Sequence, residues 1–250
     1  MRTVHTLFLF FSVTLTSVNL KAEDYLFSAI EKLPDQAVAA IVMAEVYRQL
    51  GLNLDVAFMP GLRAQKSASL GYVDGEVMRI FSYGDETPNV LRVPTPFYNV
   101  KTVAYVNKGS NIIIRNKQHL GRYTVAIVRG VKHTDSVTKH LHRKNVKLLN
   151  DPQTMINFLM HGRADVALTN PLEGMLALKS LGADNLELVQ EPLATFPLYH
   201  YVHKRHAEIV PLLDSKILEL KRNNELERLF RHSEQQIIDG WDLTAFNRAR

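Results

Sequence analysis

Two charged side chains, Glu76 and Arg79, lie within a short apolar segment that begins after Asp74 and ends at Ile80. Burying a charge costs free energy unless the charge is paired or used, so both residues need an explanation. The planar guanidinium of Arg79 matches a carboxylate or phosphate, which predicts a clamp for an anionic ligand group. The alternative is an internal ion pair with Glu76 or Asp74. Residues three apart face opposite sides of an ideal strand, so a direct Glu76–Arg79 pair is not automatic.

A second segment, residues 162–170, repeats this plan: a glycine, an aspartate, an apolar strand and a polar end. Thr169 and Asn170 form that polar end and can bind a ligand, although Asn170 can instead cap the helix that follows. Backbone N–H groups at Arg129 and Gly130, between a strand and a helix, suit an anion. The Arg129 side chain either joins them or lies on the surface.

Three further residues, Tyr98, Asp74 and Asp165, need an interpretation. Tyr98 can form a wall of the ligand site, but an aromatic residue near a proline-rich crossing is more often simple packing. Asp74 and Asp165 precede the strands of the two segments, and we interpret both as structural residues that fix turns through backbone bonds.

Several function classes are disfavoured. The sequence contains no nucleophile elbow, metalloprotease motif, phosphate-binding loop or dinucleotide fingerprint, which predicts a non-enzymatic protein. The enzyme alternative would use Glu76 as a general acid. Basic residues surround the two histidine groups, at 133–142 and 200–206, so no metal ion or other cofactor is predicted. A scattered net charge of +5 argues against nucleic acid as a partner.

The N-terminus predicts export from the cytoplasm. Arg2 and His5 precede an apolar run over residues 7–15, and Ala22 offers a small residue for cleavage. An uncleaved anchor or a buried first helix is the alternative. With no cysteine in the chain, disulfides, thiolate metal sites and lipid attachment are not expected. We therefore predict a signal peptide at residues 1–22 and a periplasmic location.

The strands and helices that must position these residues alternate along the chain. From residue 25 to residue 80 the periodicity predicts strand, helix, strand, helix, strand, an order typical of a parallel sheet with right-handed crossovers. Residues 90–106 are predicted as extended segments and turns. A second α/β unit follows from Tyr123 to about residue 190, and a strand and helices close the chain.

This order resembles the periplasmic solute-binding proteins of bacterial extracellular solute-binding family 3, which serves polar amino-acid transport. The resemblance covers essentially the whole mature chain and depends on four motifs, which are Pro60-Gly-Leu-Arg63, the run from Gly71 to Arg79, Val128-Arg-Gly130 and the run from Gly162 to Asn170. It implies an α/β, two-lobed type II periplasmic binding protein fold, with a mixed sheet in each lobe and flanking helices.

The resemblance also implies a domain organisation. Residues 23–105 would form lobe 1, residues 198–250 would return to it, and residues 106–197 would form lobe 2. The chain would cross between the lobes near Tyr105 and Pro197, and ligand would bind between the lobes at the strand ends.

Two departures from the family pattern bear on the ligand. The family has a Ser-x-Thr-x-x-Arg run after the third strand, whose arginine grips a carboxylate, whereas this chain has no arginine in residues 82–87. The ammonium-binding aspartate of the family aligns with the neutral Asn170. We therefore expect a small polar or anionic, amino-acid-like solute, bound by Arg79, Glu76, Arg129, Gly130, Thr169, Asn170 and Tyr98. Delivery would be to the permease of an ABC transporter. A membrane sensor is the alternative partner, an enzyme using the same cleft is the alternative class, and a monomer is expected.

Overall fold

The structure is a computed structural model that describes residues 23–189 and 191–240. The predicted signal peptide and residues 241–250 lie outside this part of the chain. Within the described residues, no helix is long and apolar enough to cross a bilayer.

The described chain is a mixed α/β structure. Its first part contains β1 (Asp24–Ile30), α1 (Pro34–Gln49), β2 (Asn53–Met59), α2 (Gly61–Ser69), β3 (Gly75–Ile80), α3 (Tyr83–Glu86), β4 (Val90–Arg92) and β5 (Tyr98–Asn107). Its second part contains β6 (Val125–Val128), α4 (Lys132–Thr138), β7 (Val146–Leu149), α5 (Pro152–Met160), β8 (Val166–Thr169), α6 (Pro171–Leu181) and β9 (Leu186–Leu188). The chain then forms β10 (Ala194–His203), α7 (Val210–Arg222) and α8 (Glu225–Ile238).

Helix α1 begins earlier than its sequence pattern predicts. The segment Leu33-Pro34-Asp35 is predicted as a loop, but Pro34 occupies the start of the helix, where its missing N–H and fixed φ are tolerated. Asp35 is therefore a residue of the first helical turn, and it is buried. The last two helices are separated at Asn224, which has φ +59°.

The strands form two sheet regions that define two lobes. In the first lobe β1 pairs in parallel with β2 and β3, and β10 pairs antiparallel with β3 and β4. In the second lobe β6 pairs in parallel with β7 and β8, and β5 pairs antiparallel with β8 and β9. Both sheets are mixed, as predicted.

Strand β5 belongs to both regions. Its residues 98–102 pair with residues 194–198 of β10, whereas its residues 103–107 pair with β8 and β9. The antiparallel β5–β10 pair is thus the connection between the lobes. The lobe limits predicted from the sequence lie a few residues away from the position at which β5 changes its pairing strand. These limits stay predictions.

The two lobes use an equivalent aspartate. Asp74 precedes β3 and its Oδ2 accepts the backbone N–H of Leu26 in β1 at 2.7 Å. Asp165 precedes β8 and its Oδ2 accepts the N–H of Thr124, beside β6, at 2.7 Å. Each carboxylate therefore ties the start of one parallel strand to its neighbour, the structural role expected for both residues. Burial raises the pKa of Asp74, but bonds from Arg205, Leu26 and His206 outweigh that effect and lower it.

Gly75 permits the close approach of β3 and β10. It has φ +151°, and a Cβ there would lie 2.0 Å from the Tyr201 carbonyl oxygen. We expect Gly75→Ala to lower the free energy of unfolding by about 3 kcal/mol or more, measured by urea denaturation. The matched control is Gly51→Ala, at φ +73° with no atom within 4 Å, which should cost about 1 kcal/mol. Equal costs at the two sites would contradict this packing.

His200 makes the stability of the first lobe pH-dependent. Its Nδ1–H donates to the Val77 carbonyl at 2.9 Å and its Nε2 accepts from the Tyr47 hydroxyl at 3.0 Å. Burial lowers its pKa from 6.5 to about 4, although the bond to Val77 acts in the opposite direction. Between these values only the unfolded chain binds the proton, so stability is full above pH 6.5 and is lost as the pH falls toward 4.

Between pH 8 and pH 5 we expect the wild type to lose about 2 kcal/mol more unfolding free energy than His200→Gln. Urea denaturation of both proteins at both pH values measures the difference. His133, whose pKa burial also lowers to about 4, is present in both proteins and so cancels. The same loss in both proteins would show that His200 is not buried in its neutral form.

Candidate functional site

Glu76 and Arg79 lie on the same side of β3 because the strand contains an irregularity. Arg79 is opposite Tyr199 and Glu76 is opposite Tyr201, so β3 advances three residues while β10 advances two. An extra residue in one strand breaks the alternation of side chains. Arg79 Nε consequently donates to Glu76 Oε2 at 2.5 Å, with both side chains buried. The internal ion pair, which an ideal strand would not produce, is the alternative that the structure supports.

Each of the three nitrogens of the Arg79 guanidinium donates a hydrogen bond in this closed arrangement. Besides Glu76, it donates to the Gly61 carbonyl of the first lobe at 3.2 Å and to the Gly130 carbonyl of the second lobe at 3.4 Å. Tyr83 donates its hydroxyl to the other Glu76 oxygen at 2.5 Å. Burial raises the pKa of Glu76, although Arg79 and Tyr83 act in the opposite direction. Arg79 therefore connects the lobes and is not a free clamp for an anion here.

The lobes are in contact where two glycines meet. A Cβ on Gly61 would lie 3.0 Å from the Gly130 carbonyl oxygen. Gly130 thus lies at the contact between the lobes through its carbonyl group, and its binding of a ligand stays a prediction. The neighbouring Arg129 is exposed, and its side chain has no hydrogen bond or ion pair with the described residues. The reason is that Gly130 faces the first lobe through its backbone, while the Arg129 side chain is exposed to solvent. A ligand contact for Arg129 stays a prediction.

Thr169 and Asn170 organise the start of α6. Asn170 Oδ1 accepts the backbone N–H of Glu173 at 2.9 Å, which makes it the helix cap proposed as its structural alternative. Its Nδ2 is buried and has no hydrogen-bond partner among the described residues. The Thr169 hydroxyl donates to Glu173 Oε2 at 2.5 Å. Both residues therefore position Glu173, and neither N–H of the Asn170 side-chain amide has a partner among the described residues.

A pair of carboxyl groups spans the two lobes. Asp35, in the first turn of α1, and Glu173, in the first turn of α6, are 7% and 2% exposed. Burial raises the pKa of Glu173 well above its usual range, and the charge and hydrogen bond of Asp35 raise it further. For Asp35 burial also raises the pKa, while the bond from Glu173 lowers it. The raised pKa of Glu173 favours its protonated form beside Asp35.

His133 completes the site from α4. Its Nδ1 shares a hydrogen bond of 2.9 Å with the Thr102 hydroxyl of β5, and burial lowers its pKa to about 4, so the ring is neutral at neutral pH. Its Nε2 is buried without a partner among the described residues. His133, Asp35 and Arg79 line a cavity of about 20 Å³, a space for one water molecule and not for an amino acid.

These residues form an interlobe seam. We use this name for Asp35, Gly61 and Arg79 of the first lobe with Gly130, His133, Asn170 and Glu173 of the second. In the described part of the chain, the buried seam atoms His133 Nε2 and Asn170 Nδ2 have no hydrogen-bond partner, whereas Asp35 Oδ1 and Glu173 Oε1 belong to the two carboxyl groups that interact with each other. Across residues 23–189 and 191–240, no three His, Cys, Asp or Glu side chains are arranged to hold a metal ion.

Tyr98 lies apart from this seam cavity. Its ring stacks on Phe230 of α8 with centroids 4.5 Å apart, and its hydroxyl donates to Glu234 at 3.1 Å. The packing alternative given for Tyr98 describes these contacts. Its proposed contact with a ligand stays a prediction.

Sequence reasoning did not select Asp35, Glu173 or His133 as ligand-binding residues. A usable signal existed for Glu173, because Asn170 followed three residues later by glutamate is a helix-capping pattern that places both at a helix start. No local signal pairs Asp35 with Glu173, since they meet only when the lobes close.

No family model matches the chain. An uncharacterized protein of Shewanella oneidensis MR-1 is 27% identical over 197 residues, which cover 76% of this chain and 73% of that protein.

Solved structures share the fold at low identity. A mutant of ArgBP from T. maritima has a TM-score of 0.68 at 18% identity, covering 84% of this chain and 94% of its own. A histidine kinase sensor domain with similarity to periplasmic binding proteins has a TM-score of 0.72 at 15% identity, with the coverages 84% and 94%. The substrate-binding protein of an amino acid ABC transporter has a TM-score of 0.65 at 17% identity, with the coverages 82% and 96%. The chain therefore has the two-lobed type II fold of periplasmic binding proteins, the fold expected from its resemblance to extracellular solute-binding family 3.

Proposed function

We propose that this chain is an exported, non-enzymatic binding protein that closes its two lobes around a small polar solute. One observation carries the proposal: buried polar side chains of both lobes meet at the seam, and two of their atoms, His133 Nε2 and Asn170 Nδ2, have no partner among the described residues. Burying a polar atom without a hydrogen bond costs free energy, so such atoms are rare unless a ligand uses them. Their position between lobes fits a solute that enters when the lobes separate and is enclosed when they close.

The polar contacts that close the seam are few, and Ile30 and Leu33 add apolar packing against the second lobe. Arg79 bonds to Gly130, Lys132 of α4 forms an ion pair with Glu86 of α3, and Lys32 lies 3.7 Å from Asp151. Exposed ion pairs contribute little to stability, so a hinge movement at the β5–β10 connection can break them. A solute that bonds both lobes would shift the population toward the closed form.

The partner is a membrane protein that recognises the closed form. The structural similarity to the substrate-binding protein of an amino acid ABC transporter supports delivery to a permease. The similarity to a histidine kinase sensor domain supports the second candidate, signalling to a membrane sensor. Either role requires the periplasmic location predicted from residues 1–22, and a monomer is sufficient for both.

Gly61→Val should hold the lobes apart. The Cβ of this residue would already lie 3.0 Å from the Gly130 oxygen, so a branched side chain cannot fit in the closed form. We expect a larger radius of gyration by small-angle X-ray scattering. The affinity for the solute should fall in proportion to the decrease in the population of the closed form. The control is Gly121→Val, because a Cβ at Gly121 meets no atom within 4 Å. A variant as compact as the wild type that binds solute equally well would refute the interlobe site.

Arg79→Ala should be severely destabilising, because Glu76 would remain buried without its cation. Removing one partner of a buried ion pair costs about 3–5 kcal/mol of unfolding free energy. The exposed Arg129 provides the matched control, and Arg129→Ala should change stability by less than about 0.5 kcal/mol. Chemical denaturation of both variants measures the difference, and a mild effect at Arg79 would mean that the guanidinium is free for a ligand.

A further inference from the structure

The lysines and arginines of the second lobe are concentrated in residues 108–149. This segment contains ten Lys or Arg residues and one acidic residue, Asp135. The remaining residues of the chain contain twenty Lys or Arg and twenty-four Asp or Glu. The net charge of +5 therefore arises from this segment and is not spread evenly over the chain.

Most of this segment forms one layer of the second lobe. Residues 112–122 and helix α4 cover one face of the sheet, where Ile114, Leu120 and Val137 are buried against the inward side chains of β6 and β8. Helices α5 and α6 pack on the other set of side chains of these strands and cover the opposite face. Side chains that point outward from the first layer therefore lie on the same side of the lobe.

Two hydrogen bonds join the parts of this layer. Nε2–H of His140, which follows α4, donates to the Lys117 carbonyl oxygen at 3.1 Å, and the Asn145 side-chain amide donates to the Gly121 carbonyl at 3.4 Å. The layer thus presents one continuous surface. We use the name basic face for its six exposed cations, which are Arg115, Lys117, Arg122, Lys139, Arg143 and Lys144.

The cations of the basic face have no partner within the protein. Among the described residues, none of the six side chains takes part in a salt bridge or a hydrogen bond. Like charges held close together repel one another and oppose the compact state. An anionic partner outside the protein would relieve this repulsion and would be attracted to the face over a distance of about 8–10 Å at physiological salt.

The other side chains of the segment favour a lipid surface over a nucleic acid or a protein. Tyr123 is its one Phe, Trp or Tyr residue, and this ring packs against the core of the lobe. Single-stranded nucleic acids and the centres of protein interfaces use exposed aromatic side chains, which the segment lacks. Ile113, next in the chain but one to Arg115, is 60% exposed. Clustered cations with an exposed aliphatic side chain suit the headgroup region of an anionic bilayer.

We propose that the basic face docks this protein on the surface of an anionic phospholipid bilayer. The six cations lie over lipid phosphates, and Ile113 enters the boundary between headgroups and acyl chains. This inference goes beyond the proposed solute binding and does not depend on it, because the basic face belongs to the second lobe alone and lies outside the interlobe seam. Docking of this kind holds the protein beside a membrane partner.

Vesicle co-sedimentation tests the docking. The protein is the chain from Glu23 to Arg250, since the apolar run at residues 7–15 would itself bind lipid. We expect binding to vesicles of phosphatidylcholine with about 30% phosphatidylglycerol and no binding to phosphatidylcholine alone. The binding should weaken by tenfold or more between about 0.05 M and 0.5 M salt, because the Debye length shortens.

A fourfold variant removes charge from the basic face: Lys117→Gln, Arg122→Gln, Lys139→Gln and Arg143→Gln together. It should fold like the wild type, because these side chains make no bond within the described residues. Each cation near an anionic surface changes the affinity by about fivefold, so the variant should bind the vesicles more than a hundredfold more weakly.

The matched control removes the same charge elsewhere: Arg63→Gln, Lys66→Gln, Lys179→Gln and Arg222→Gln together. These residues are exposed on α2, α6 and α7, away from the basic face. We expect the control variant to bind vesicles within about fivefold of the wild type, since exposed charges beyond the Debye length are screened.

The remaining outcomes overturn the inference. Equal losses in the two fourfold variants would show that net charge, and not this face, attracts the lipid. Failure to bind phosphatidylglycerol vesicles at low salt would reject docking, and binding of heparin without binding of vesicles would replace the bilayer with a soluble polyanion. Gly61→Val, which should weaken solute binding, should bind vesicles like the wild type. A failure of docking and a failure of the proposed function are therefore separate results.

Discussion

The closed structure depends on how two lobes satisfy the polar groups that they bury together. Each lobe contributes a hydrophobic core of its own, but the surfaces that meet at the seam carry Asp35, Arg79, His133 and Glu173. Burying such groups without partners costs free energy, so the structure pairs them with other groups. Arg79 bonds to Glu76 and two backbone carbonyls, Glu173 accepts from Thr169, and His133 bonds to Thr102.

The hydrogen bonds that these groups lack are the physical argument for a binding site. A seam built for stability alone would pair every donor and acceptor or replace them with apolar side chains. Here the free atoms are confined largely to the contact between lobes that a hinge can separate. Their desolvation opposes closure in the absence of a partner, and a molecule that supplies the missing bonds favours closure. The same groups can thus hold a solute and couple its arrival to the movement.

The repeated plan of the two lobes explains why the strand ends face one another. In each lobe an aspartate binds a backbone N–H of the neighbouring parallel strand, which sets β3 against β1 and β8 against β6. The polar residues that follow are carried to the same edge of each sheet. The β5–β10 pair then joins the two sheets so that these edges oppose each other.

The sequence by itself determined the order of strands and helices and the roles of Asp74 and Asp165, because these follow from local periodicity and turn chemistry. A fold with a cleft between two lobes was implied by the family resemblance of its motifs. The sequence also selected Glu76, Arg79, Gly130, Thr169 and Asn170 as residues near that cleft. Only the tertiary structure decided which atoms are free. An irregularity in β3 turned Glu76 and Arg79 toward each other, and closure brought Asp35 to Glu173 across 138 positions of the chain. Pairing between distant residues depends on how whole lobes pack, and no local pattern encodes it.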